Sequence, residues 1–68
     1  MEKKIIIEGM SCNHCVSHVK EALSSIEGVE SVVVSLEGKY ALVNVNNVED
    51  KQLKEAIEDE GYDVVEIN

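Results

Sequence analysis

Lys3-Lys4-Ile5-Ile6-Ile7-Glu8-Gly9-Met10-Ser11-Cys12-Asn13-His14-Cys15-Val16-Ser17-His18-Val19, running on to Gly28, is the stretch that decides the fold. The spacing of its apolar residues changes partway along. Lys3 to Glu8 is a short apolar run of β-branched residues, which predicts a strand. Gly9 to Asn13 is polar and led by Gly, which predicts a loop. From about His14 the period becomes helical: Val16, Val19, Leu23 and Ile26 recur three, four and three residues apart, one apolar stripe on a helix. Glu27-Gly28 ends it, with Gly28 suited to the left-handed backbone that follows a helix.

The second half repeats the theme. Val29, Val32, Val34 and Leu36 predict a second strand, and Glu37-Gly38-Lys39 a hairpin turn with Gly at its tightest point. Ala41, Val43 and Val45 alternate in a third strand. Asn46-Asn47 breaks it, and a second helix follows over roughly Glu49 to Glu60, with Leu53, Ala56 and Ile57 inward and Gly61 as its stop. Tyr62 to Ile67 is the last strand. Strand-helix-strand thus occurs twice with no linker. The economical solution is an α+β, ferredoxin-like βαββαβ sandwich: a four-stranded antiparallel sheet with two helices on one face. If Ile5 and Ile7 face the helices, then Ile6, Val33 and Leu42 point to the open face, as scattered strand formers or as a weak contact surface.

Sixty-eight residues make one domain, 1–68, too small to enclose the large cavity of a typical enzyme. Fourteen acids against six bases give a net charge of −8. That excludes a nucleic-acid reader, which needs a basic face, and docking on an anionic membrane. No signal-peptide core follows Met1 and nothing is long enough to span a bilayer, so no direct membrane insertion is expected and the cytoplasm is the expected location. Thiols stay reduced there, and a Cys pair serves metal binding or redox chemistry rather than stapling. Glu55, Glu58, Asp59, Glu60 and Asp63 cluster around the end of the second helix, as a solvated face or a recognition surface.

Cys12 lies in the loop and Cys15 in the first turn of the helix. Residues three apart share a helix face, so the two sulfurs can converge, where the exposed N–H groups of the helix start favour thiolate. A structural zinc site wants four N or S ligands, and here there is one pair. Two soft thiolates suit a soft ion of low coordination number, copper(I). Such a site leaves room for a partner's thiolate, so the ion can pass by ligand exchange. The residues alone leave two other readings open: a pair of buried thiols, and a dithiol oxidoreductase. The second normally has a proline beside its cysteines, and this chain has none. His14 is either a third ligand or an exposed ring near the thiolates, and His18, one turn on, faces solvent. Met10 anchors the loop by packing, and Tyr62 either fills the core or sits beside the loop.

Gly9-Met10-Ser11-Cys12-Asn13-His14-Cys15 resembles the signature loop of the heavy-metal-associated domain family, with its GMxCxxC pattern met in full. The likeness extends over essentially the whole chain, including Gly28-Val29 and Gly61-Tyr62. It implies the same ferredoxin-like fold and copper(I) held by Cys12 and Cys15, in a protein that is not an enzyme. A His at position 14 and a Tyr at position 62 resemble the bacterial copper chaperones, and zinc-specific relatives tend to carry an acid where Ser11 stands. The resemblance implies delivery to the metal-binding domains of a copper-transporting P-type ATPase, for some members to a copper-sensing repressor, and in some a copper-bridged homodimer. An amino-terminal metal-binding domain of such an ATPase is the alternative within the family.

Overall fold

The computed structural model describes residues 1–11 and 13–68. The elements follow in the order strand β1 (Glu2–Glu8), helix α1 (Asn13–Ser24), strand β2 (Val29–Ser35), strand β3 (Tyr40–Val45), helix α2 (Asp50–Asp59) and strand β4 (Asp63–Ile67). The sheet runs β2-β3-β1-β4, with every neighbouring pair antiparallel. The βαββαβ sandwich expected from the sequence is the one observed.

Alternation sorts the strands as their apolar pattern requires. Ile5 and Ile7 of β1 and Ala41, Val43 and Val45 of β3 are buried under Val19 and Leu23 of α1 and Leu53 and Ile57 of α2. Val48 closes the core between β3 and α2. Lys3, on the same side of β1, ends this inner row by pairing with Asp50 in the first turn of α2, where a carboxylate is favoured by the helix dipole. The backbone N–H of Glu49 donates to Gln52 Oε1 at 3.0 Å, satisfying a donor at the start of α2.

Three local features depart from the sequence reading. Helix α1 ends at Ser24, before Ile26. The Ser25 hydroxyl donates to the Ala22 carbonyl at 2.8 Å, a side-chain bond that competes with helix continuation. Ile26, in the turn that follows, still packs on the core. In the β2–β3 turn the left-handed residue is Lys39, at φ 56°, not Gly38. Gly38 is needed for another reason: a Cβ there would run into the Tyr40 ring. Strand β4 carries a bulge, since Ile6 pairs with Glu66 while Ile7 pairs with Val64. The extra residue, Val65, is pushed to the surface.

The open sheet face is mixed rather than apolar. Val33, 62% exposed, lies opposite Leu42, and Leu42 lies opposite Lys4. Ile6 has Tyr40 on one side and Glu66 on the other. The Lys4 ammonium sits 4.6 Å from the centre of the Tyr40 ring. Ile6, Val33 and Leu42 therefore do point outward, but charged side chains interrupt them.

The turn after α1 tests how tightly the two halves are joined. Gly28 has φ 100°, its carbonyl accepts from Asn46 N–H at 2.8 Å, and a Cβ would lie 2.6 Å from the Asn46 oxygen and from Val48 Cγ2. Strain and collision combine, so Gly28→Ala is expected to cost roughly 2–4 kcal/mol in urea denaturation. A loss under about 0.5 kcal/mol, the scale of an ordinary surface change, would contradict this packing.

Candidate metal centre

Antiparallel pairing brings three connections to one end of the sheet. Glu8, the last residue of β1, lies opposite Asp63, the first of β4. The Ile7 N–H donates to the Lys39 carbonyl at 2.9 Å, drawing in the β2–β3 turn. The loop that leaves β1 at Gly9 leads straight into α1 at Asn13. The C-terminal end of α2 arrives at the same end through Glu60-Gly61-Tyr62.

Each loop residue is placed by something specific. Gly9 turns the chain with φ 98°, and its Cα faces Tyr62, so that a Cβ would stand 3.5 Å from the ring's Cδ1. Met10 is 5% exposed and belongs to the core with Ile7, Val19 and Ile57. Ser11 is exposed. Cys12, named from the sequence as one of the two sulfur donors, lies outside the described residues. Cys15, in the first turn of α1, is half-buried and packs against the core. It begins the inward stripe that continues through Val19 and Leu23, a stripe that the apolar spacing alone starts at Val16. His14 and His18 are both exposed.

Tyr62 is half-buried, on the edge of the core and against Gly9 at once. The two roles left open for it are therefore compatible. No sequence signal gives this contact, because Gly9 and Tyr62 meet only when β4 pairs with β1.

The electrostatics of this end divide into two zones. The first turn of α1 carries no acidic residue, so no carboxylate within it offsets the partial positive charge of a helix start. The same end of the sheet carries Glu8, Glu58, Asp59, Glu60 and Asp63, all exposed. Among the described residues, no three His, Cys, Asp or Glu side chains are gathered closely enough to hold an ion.

Known proteins resemble the chain along its length. The heavy-metal-associated domain model matches residues 4–63. The copper chaperone CopZ of Staphylococcus aureus (strain bovine RF122 / ET3-1) is 48% identical over 68 residues, covering 96% of this chain and 100% of the relative. A solved CopZ metallochaperone superposes with a TM-score of 0.92 at 46% identity, over 96% of this chain and 100% of its own. A copper-binding domain from HMA7, a P-type ATPase, also reaches 0.92, at 34% identity over 100% of this chain and 95% of its own.

The two anchors of the loop differ in kind, and substitution separates them. Met10→Ala empties a buried site and is expected to cost about 2–4 kcal/mol. Gly9→Ala meets only ordinary van der Waals contact, so its cost is the left-handed backbone alone, about 1–2 kcal/mol. Urea denaturation of both variants checks the order. A Met10→Ala chain as stable as the parent would mean that the loop is not tied to the core there.

Proposed function

The chain belongs to the heavy-metal-associated domain family, and we propose that it serves as a copper chaperone, carrying one copper(I) ion between the sulfurs of Cys12 and Cys15 as its cargo. The observation that carries the reading is 48% identity over essentially the full chain to a copper chaperone, together with an unbroken Gly9-Met10-Ser11-Cys12-Asn13-His14-Cys15 loop. The chemistry agrees with it. Copper(I) is soft and content with two sulfur ligands. The start of α1 favours the thiolate form that such an ion needs. Ser11 adds no carboxylate to attract a harder ion.

Release follows from the same scarcity of donors. A two-sulfur site is open on the solvent side, so an incoming thiolate can bind before either resident one leaves. The copper is never free, and the barrier is that of successive ligand exchanges. The acceptors in this proposal are the metal-binding domains of a copper-transporting P-type ATPase in the cytoplasm, whose fold the chain shares. A copper-sensing repressor is a second acceptor of the same chemistry, and a copper-bridged homodimer is what results when the entering thiolates come from another copy. Met10 and Tyr62 hold the loop from the core side, Ser11 leaves it uncharged, and His14 stands outside the sulfur pair. The role is carriage without catalysis.

The same fold occurs as a P-type ATPase domain, the runner-up reading. The higher identity to the chaperone, 48% against 34%, favours the free carrier. Anaerobic titration with copper(I) against a competing chelator, read by X-ray absorption, tests the assignment. One ion per chain with two sulfur neighbours is expected. Loss of an outer partner of a metal ligand typically costs 10–100-fold, so Cys12→Ser or Cys15→Ser, which removes a ligand itself, is expected to weaken binding by more than about 100-fold. Undiminished binding by either variant would end the assignment.

A further inference from the structure

Helix α1 presents a second set of donors on its other side. His14 and His18 are four residues apart, both exposed, and Glu21, exposed as well, follows three residues later. Successive helical residues turn by about 100°, so these three share one face, roughly a third of a turn from the Cys15, Val19 and Leu23 stripe that meets the core. Neither imidazole has a hydrogen-bond or ion-pair partner among the described residues. Their nitrogens are therefore uncommitted.

Residues at this spacing have Cβ atoms about 6 Å apart, and two imidazoles so placed can both reach a cation at about 2.1 Å. The H-E-x-x-H helix uses the same four-residue step to hold a metal between two His. Imidazole is a borderline donor that suits zinc, nickel and copper(II) rather than a hard ion. Glu21 can add a carboxylate from the next turn, with water completing the shell. The three side chains are not drawn together in the structure, but all are exposed and closing on an ion requires only rotamer changes of the fast kind seen at surfaces. A net charge of −8 raises the local concentration of cations around the whole molecule.

We propose that His14 and His18, supported by Glu21, form a second, sulfur-free site for a divalent first-row transition cation on the outer face of α1. The site is distinct from the Cys12–Cys15 pair in chemistry, and its residues lie roughly a third of a turn around α1 from the stripe that Cys15 begins. One chain can then hold a soft monovalent ion at its loop and a borderline divalent ion on its helix. His14 serves the outer site, which removes it from the sulfur-bound ion's shell.

Nickel(II) is the probe, and two forms of the protein keep the sulfurs out of the test: the Cys12→Ser/Cys15→Ser chain, and the parent chain with copper(I) already bound. The first form makes the result independent of the copper assignment. In both, one equivalent of nickel(II) is expected to broaden amide NMR signals centred on residues 14–21. His18→Ala, at an exposed position, is expected to weaken binding about tenfold or more while circular dichroism stays that of the parent. Glu21→Gln is expected to weaken it a few-fold. Equal affinity after His18→Ala, or broadening centred on the acidic end of α2, would overturn the proposal, as would no binding in both sulfur-blocked forms.

Discussion

The position of β1 is the constraint on which the rest of the molecule depends. It is an inner strand, paired with β3 on one side and β4 on the other, and Ile5 and Ile7 are fully buried beneath both helices. A strand held on three sides fixes where its chain leaves the sheet. The loop that follows Glu8 therefore starts from a rigid point. Met10 returns it to the core two residues later, and Gly9 rests on Tyr62. In a chain this small, a loop without such ties would cost more order than the core could repay.

That arrangement separates rigidity from reactivity. The core side of the loop is built from apolar contacts that have no part in binding an ion. The outer side offers a helix start and an uncharged, exposed Ser11. A carrier needs this division: a site stiff enough to favour a soft ion, with too few ligands to trap it. Acidic side chains lie at the same end, but none sits in the first turn of α1, where a carboxylate would offset the positive end of the helix dipole.

The alternation in β1 and β3 and the helical stripes were legible in the sequence because burial alone governs them: Ile5, Ile7, Val43, Leu53 and Ile57 lie where their spacing puts them. The end of α1 was not, since it comes where the Ser25 hydroxyl takes the Ala22 carbonyl and the Ile26 N–H turns to Leu23 instead. Nor was the bulge that exposes Val65, which pairing with β1 imposes, or the left-handed Lys39 beside a Gly whose missing Cβ leaves room for the Tyr40 ring. At the site, the loop motif and the inward lean of Met10 follow from residue type, while the Gly9–Tyr62 contact needs the assembled sheet. The motif marks Cys15 as a candidate donor, but its place at the head of the buried stripe was hidden, because thiols are poor markers of apolar period.

The most direct test of carriage is the rate of copper(I) transfer from this chain to a metal-binding domain of a copper-transporting P-type ATPase, measured against the rate of loss to a bulky chelator of equal affinity that cannot reach the loop. Ligand exchange predicts a transfer rate that rises with acceptor concentration and far exceeds spontaneous release. A transfer rate equal to the release rate and indifferent to the acceptor would mean that the ion escapes before it is passed, and the account would be wrong.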